Sequence, residues 1–210
     1  MNGKRDMIDT VVFDLGGVLI DWNPRYLYRR LFDDEATMER FLAEVCTGAW
    51  NEQQDAGRSW HEAVASLTAQ FPEHARLIAA YRDGWREMLG GVIQGSVDLL
   101  AELKARGVRL YALTNWSHET FPRAKEIEMF GFLHWFEGIV VSGEERLIKP
   151  DSRIYRRLFE RYAIDPRRTA YIDDARRNVD AAAAQGMHAW WFRGPEGLRE
   201  WLATHGLVSA

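Results

Sequence analysis

Four short stretches of this 210-residue sequence hold the groups best suited to chemistry. Asp14 follows the apolar run Val11-Val12-Phe13, and Gly16 and Gly17 come just after it. Thr114 and Asn115 end a second apolar run, Lys149 precedes Pro150, and Asp173 and Asp174 stand side by side after Tyr171-Ile172. Three carboxylates gathered at one point repel one another unless a cation sits among them, and Mg²⁺ takes oxygen ligands. Lys149 and Thr114 would then supply charge and a hydrogen bond to the non-bridging oxygens of a phosphate. Gly16 and Gly17 let the backbone come close, with N–H groups turned toward the phosphate. Asp14 is placed to act as a nucleophile, giving an aspartyl-phosphate that water then cleaves. The chemistry this set points to is phosphoryl transfer through Mg²⁺. Each stretch also has a bland explanation. Asp14 before glycines can make an Asx-type turn, Thr114-Asn115 can cap a helix, Lys149 can be a surface lysine, and Asp174 is a good N-cap.

What raises the set above its parts is the order of elements that would carry it. From about residue 91 the pattern alternates helix and strand. Ser96 can cap a helix carrying Val97, Leu100 and Leu103, and residues 108–113 read as a buried strand. Residues 138–141 form another apolar run, Asp151 can open a helix, and residues 169–172 read as a strand. An Ala-rich helix over 176–185 and a last strand over 188–192 complete the series. Short apolar strands separated by amphipathic helices predict an α/β fold, a doubly wound parallel sheet of Rossmann-like type. Thr10–Phe13 belongs to that sheet by character, although its successors start only near residue 108. In such a sheet ligands bind beyond the C-terminal ends of the strands, where all four stretches fall.

Between the first strand and the rest, residues 21–89 read as entirely helical. Ser59 and Glu62 make a capping-box pattern ahead of Trp60, Val64, Leu67 and Phe71. Pro72 can open a further helix carrying Leu77, Ile78, Tyr81, Trp85 and Met88. The division expected is a catalytic core of residues 1–20 and 90–210, with an all-helical cap of residues 21–89 inserted after the first strand.

Composition narrows the class. A hydrophobic share of 47% and a charged share of 28% are those of a globular chain. No apolar run approaches the roughly 20 residues of a membrane span, and the N-terminus lacks the apolar core of a signal peptide. A net charge of −4 offers no basic field for nucleic acid. One cysteine, Cys46, allows no internal disulfide, which fits a cytoplasmic protein. No histidine spacing, Gly-x-Ser-x-Gly elbow, P-loop or dinucleotide fingerprint appears.

The chain resembles the haloacid dehalogenase-like hydrolases of the helical-cap type. The resemblance rests on VVFDLGGVLID at 11–21, YALTN at 111–115, IKPDSRIY at 148–155 and YIDDARRNVDAA at 171–182, in the family's order. It implies Asp14 as nucleophile, Thr114 and Lys149 as phosphate contacts with Leu15, Gly16 and Asn115 beside them, and Mg²⁺ as cofactor. The implied metal ligands are Asp14, the Gly16 carbonyl, and Asp174 with Asp173 next to it. One departure matters. Phosphatases of the family usually carry a second Asp two residues after the nucleophile, to protonate the leaving group, and here that residue is Gly16. The loop before the lysine also departs, with Arg146 and Ile148 where Gly and Arg are usual.

The missing acid admits a second reading, a metal-independent 2-haloacid dehalogenase, because halide leaves without a proton. Against it, the Asp173-Asp174 pair would disfavour an anionic 2-halo acid beside a third carboxylate when no metal is present. FDLGGVLIDWNPR is most similar to Gly-variant sugar-phosphate phosphatases, among them α-D-glucose-1-phosphate phosphatases. A receiver-type switch would place its acidic pair early and its lysine late, the reverse of this order. A catalytically silent binding protein on the same fold is a further alternative. The expected partner is a small phosphorylated metabolite, such as a sugar phosphate, with no nucleic acid and no membrane, for a monomer or homodimer. Specificity is expected in the cap and its hinges, at Asp21, Trp22, Asn23 and Arg25. Trp50 and Asn51, in a polar segment 50–57 read as a loop between helices, and Trp116 after the second motif complete the candidates.

Overall fold

The computed structural model describes residues 7–209; the first six residues, on which the signal-peptide reading and the start of the core partly rest, lie outside them. Five strands form one wholly parallel sheet: β1 (Thr10–Phe13), β4 (Arg109–Thr114), β5 (Gly138–Val141), β6 (Thr169–Asp173) and β7 (His188–Trp191), in the order β5-β4-β1-β6-β7. The period-2 alternation of β1 decides what each face buries. Val11 and Phe13 pack with Leu99, Leu100 and Leu103 of α6 (Gln94–Ala105) and Leu198 and Leu202 of α11 (Pro195–Thr204). Val12 turns the other way, onto Ile154, Tyr155 and Leu158 of α9 (Ser152–Tyr162) and Ala182 of α10 (Arg176–Ala184). A charge at Val12 would therefore sit in a packed interior, because neither face of the central strand reaches water. This is the doubly wound α/β sheet expected from the sequence. Among the described residues no helix is long and apolar enough to cross a membrane.

The segment after β1 is mainly helical but not wholly so. β2 (Ile20–Trp22) and β3 (Leu89–Val92) pair antiparallel, with Ile20 opposite Val92 and Trp22 opposite Leu89. The expectation of helix throughout 21–89 is corrected at both ends. A strand of three residues shows no period, and Leu89-Gly90-Gly91-Val92 reads as a turn. The structural need for Gly90 is a close approach, since a Cβ there would lie 2.3 Å from the Asp21 carboxylate. Between these strands run α1 (Arg25–Tyr28), α2 (Glu35–Glu44), α3 (Gly48–Asp55), α4 (Trp60–Gln70) and α5 (Ala75–Asp83). They share an apolar cluster that includes Tyr28, Met38, Phe41, Trp50, Trp60, Ile78 and Tyr81, with Cys46 buried in it. The short helices α7 (Phe121–Ala124) and α8 (Ser142–Glu145) follow β4 and β5.

Local signals resolve unevenly. Ser59 caps α4 as its spacing predicts, accepting from Glu62 N at 3.2 Å. Asp151 caps α9 through Arg153 N. Pro72 opens only a single 3₁₀ turn that leads into α5, and α5 stops at Gly84, so Trp85 and Met88 lie in a separate turn. Ser96 is not a cap: α6 starts two residues earlier and buries it. Of residues 50–57, read as a loop, 50–55 are helix and only 56–57 form a turn, because Thr47 Oγ1 accepts from Trp50 N at 3.0 Å and starts α3.

Candidate active site

The chain leaves β1 for β4 and β5 on one side and returns to β6 and β7 on the other. The C-terminal ends of β1 and β6 thus flank the point where connections diverge, the crevice in which open parallel sheets bind ligands. Asp14 stands there, its N–H donating to Ile172 O at 2.8 Å. Asp173 is the last residue of β6 and Asp174 follows it. Oxygens of Asp14, Asp173 and Asp174 all lie within 4.8 Å of one another. Lys149 comes in between them, wholly buried, with Nζ 2.8 Å from Asp14 Oδ2 and 2.7 Å from Asp173 Oδ2. Its third bond, at 2.9 Å, goes to Leu113 O. A wholly buried lysine on two carboxylates is not the solvated residue of the bland explanation.

Asn115 fixes the lysine's backbone: its Oδ1 accepts from Lys149 N at 2.9 Å and its Nδ2 donates to Lys149 O at 3.1 Å. Thr114, at the end of β4, is buried beside it. Asp173 is fully engaged. Its Oδ2 accepts from Lys149 and from Tyr171 OH at 2.6 Å, and its Oδ1 from Ala175 N at 2.9 Å and Asn178 Nδ2 at 3.0 Å. This N–H capture by Asp173 leaves Asp174 out of the capping role, and Asp174 is exposed toward the crevice mouth. Gly17 explains how close the first loop comes. Its φ is +72°, and a Cβ there would lie 2.2 Å from Asp174 Oδ2, so only glycine suits both the backbone and the contact.

The electrostatics are those of an under-neutralised cluster. Burial pushes the Asp14 carboxyl upward; Lys149 pulls it back, and Asp173 and Asp174 push it further. Burial also works against the Asp173 anion, but Lys149, Tyr171 and the Ala175 N–H outweigh it and hold that carboxyl below its ordinary value. Asp174, although its side chain reaches solvent, is raised, first by the partial loss of water around its carboxyl and then by Asp173. One lysine faces three carboxylates, and the donors are all oxygens, a set that fits a hard divalent cation.

Above the crevice lies a cavity lined by Gly16, Trp22, Asn51, Asp55, Trp60, Tyr81, Trp85, Met88, Asn115, Trp116, Ser117 and Thr120. Of the candidates for specificity, Trp22, Asn51 and Trp116 line it. Asp21, Asn23, Arg25 and Trp50 do not. Asp21 accepts from Tyr26 OH at 2.6 Å, and Asn23 Oδ1 accepts from Arg25 N at 3.0 Å. Arg25 forks onto Glu39 at 2.5 and 2.6 Å. Trp50 packs edge-on against Trp60 and Tyr81 inside the helical cluster. Asp55, Trp60, Tyr81, Trp85, Met88, Ser117 and Thr120 also line the cavity and are not expected from the sequence. For Asp55 a signal existed: Thr47 three residues before Trp50 marks a helix start, and that helix carries Asn51 and Asp55 on one face, one turn apart.

A carboxylate at the end of β1, a buried lysine and an acidic pair after β6 meet at the crevice of a Rossmann-like α/β sheet. The haloacid dehalogenase-like hydrolase model matches residues 8–186, and the chain belongs to that family of enzymes. A sesquiterpene phosphatase of Aspergillus oryzae is 28% identical over 84% of this chain and 85% of its own length. Among solved structures, a HAD family enzyme of Bacteroides thetaiotaomicron in complex with magnesium and inorganic phosphate superposes with a TM-score of 0.67 at 23% identity, over 89% of this chain and 95% of that one. The L-2-haloacid dehalogenase of Xanthobacter autotrophicus superposes with a TM-score of 0.61 at 16% identity, over 87% and 76% of the two chains. At these identities the two structures share the fold.

Proposed function

We propose that this enzyme is a Mg²⁺-dependent phosphatase that cleaves a monoester of a small phosphorylated metabolite through an aspartyl-phosphate on Asp14. The observation that carries the reading is the charge imbalance at the crevice, three carboxylates to one lysine. A 2-halo acid would bring a further anion without a cation to offset it. A phosphate monoester is offset by the divalent cation that the three carboxylates can gather. A phosphatase among the relatives and a magnesium–phosphate complex among the structural neighbours support the same choice.

In this reading Asp14, Asp174 and the Gly16 carbonyl hold the ion, which supplies positive charge to offset the phosphate. Asp173, with both oxygens engaged, positions Lys149 rather than reaching outward. Lys149 holds Asp14 by Oδ2, while Leu15 N donates to Asp14 Oδ1 at 2.7 Å, so the carboxylate cannot turn away from a phosphorus above it. The backbone of Leu15, Gly16 and Asn115, with the Thr114 hydroxyl, meets the phosphate oxygens, while Lys149, whose three N–H donors are taken by Asp14, Asp173 and Leu113, supplies its positive charge. The helices between β2 and β3 act as the cap, and Trp22, Asn51 and Trp116 contribute to selecting the organic group.

For that organic group we favour a sugar. Its C–H faces can lie on Trp and Tyr rings, and its hydroxyls can meet Asn51. An isoprenyl phosphate is the second reading, favoured by the number of aromatic walls and by the sesquiterpene phosphatase relative. The cysteine, buried and unpaired, supports a cytoplasmic setting. The test is a panel of sugar, isoprenyl and simple alkyl phosphates with 2-halo acids, each assayed with Mg²⁺ and with chelator. Phosphate release that chelator stops is expected; halide release that survives chelation would overturn the reading.

A further inference from the structure

Gly16 leaves the leaving group without the acid that a side chain two residues after the nucleophile would provide. The space is there: a Cβ on Gly16 would meet nothing within 4 Å. Asp55, the last residue of α3, lines the same cavity as Gly16. It belongs to the helical segment, yet it is tied to the core three ways. Its carbonyl accepts from Ser142 Oγ at 2.6 Å. Its carboxylate accepts the Ser117 N–H. Two residues on, Gly57 comes so close to the α8 turn that a Cβ would lie 3.1 Å from Gly143 O. Asn51, one turn earlier, donates to Asp55 Oδ2 at 3.2 Å and sets the carboxyl's orientation.

We propose that Asp55, delivered by the cap helix, is the general acid and base that replaces the missing residue at Gly16. The inference rests on the phosphatase reading. As the Asp14 carboxylate forms its bond to phosphorus, the ester O–P bond breaks and the Asp55 proton passes to the ester oxygen, so the product leaves as a neutral alcohol. The Asp55 carboxylate then takes a proton from the water that attacks the aspartyl-phosphate. This frees phosphate and the Asp14 carboxylate and restores the Asp55 acid. The surroundings suit a proton that is held and then given near neutrality. Burial, and then Glu52 on the same helix, pushes the carboxyl up to about 7, with Lys149 and the Ser117 N–H pulling the other way. Tyr81 of α5 also faces it, and that phenol is itself held well above its ordinary range, so it stays neutral.

The test compares an alkyl phosphate, whose alkoxide needs a proton, with p-nitrophenyl phosphate, whose phenolate does not. Both are measured with Mg²⁺ on the full chain and on Asp55→Asn. The alkyl-to-nitrophenyl ratio of kcat/KM is expected to fall about 10²-fold or more in the variant. In the wild type, kcat/KM on the alkyl ester is expected to fall as pH rises through about 7, a limb absent with the nitrophenyl ester. An unchanged ratio, or the same alkaline limb on both esters, would overturn the role of Asp55. Wild-type protein that hydrolyses neither ester would instead remove the phosphatase reading beneath it.

Discussion

Replacing Lys149 by methionine keeps the side chain's length and removes its charge. The ammonium lies 2.8 Å from Asp14 and 2.7 Å from Asp173, with none of the residue exposed. Without it, two buried carboxylates face each other across a space no other basic side chain is seen to enter among the described residues. Removing one partner from a buried pair costs about 3–5 kcal/mol. At roughly 2–4 °C per kcal/mol for a chain of this size, Tm should drop by roughly 6–20 °C in chelator. The sign with pH follows from the anions. A carboxyl whose folded pKa is raised weakens the fold as pH rises through that value, so the penalty is larger in alkaline than in acidic buffer. Added Mg²⁺ should restore more Tm to the variant than it adds to the wild type, because the cation takes over neutralisation of the pair. Thermal denaturation of both proteins, with chelator and along a Mg²⁺ titration, reads all three effects. A variant that melts within about 2 °C of wild type in alkaline chelator would refute the neutralising role of Lys149. A full drop that Mg²⁺ leaves untouched would refute the gathering of a cation by these carboxylates.

Three further outcomes are expected. Gly17→Ala places a Cβ 2.2 Å from Asp174 Oδ2 at a φ of +72°; Mg²⁺ affinity, read by calorimetry, should weaken roughly 10- to 100-fold, and unchanged affinity would take Asp174 out of the ion's shell. Asp55→Asn should gain stability in alkali, because the folded chain holds that proton more tightly than the unfolded one and loses stability as pH rises from 3.8 to about 7. The shift corresponds to a few kcal/mol at most, about 4 kcal/mol in full, and equal denaturation midpoints at about pH 8 would contradict it. Arg25→Ala, which loses only the fork to Glu39, should change stability by no more than about 1 kcal/mol and leave KM unchanged; a raised KM would return Arg25 to the substrate.

The sheet and the chemical cluster were both legible in the sequence, for one reason. Buried parallel strands such as Val11-Val12-Phe13 are short unbroken apolar runs, and the polar residue that ends each run marks the end of the strand. Asp14, Thr114 and Asp173 could be placed together because topology brings strand ends to one edge, whereas Lys149 lies beyond α8 and follows β5 only at a distance. The cavity wall was less readable. Trp50 and Trp60 have the same composition signal, yet Trp60 reaches the cavity while Trp50 is spent inside the helical cluster. That difference depends on how α3 and α4 pack, which helical periodicity does not encode. Arg25 and Asp21 looked available because they are charged residues at a hinge, but partners from their own neighbourhood, Glu39 and Tyr26, take them up. Asp55 was hidden by its polar company: WNEQQDAG reads as a connection until Thr47 is recognised as its cap.

In the proposed reaction Asp14 carries the phosphoryl group. The direct measurement is acid quenching of the enzyme during turnover of a radiolabelled phosphate ester with Mg²⁺, followed by peptide mapping of the label. The label is expected to be stable to acid, released by hydroxylamine, confined to the peptide containing Asp14, and lost in Asp14→Asn along with turnover. Turnover that persists in Asp14→Asn, or a label on any other residue, would contradict it.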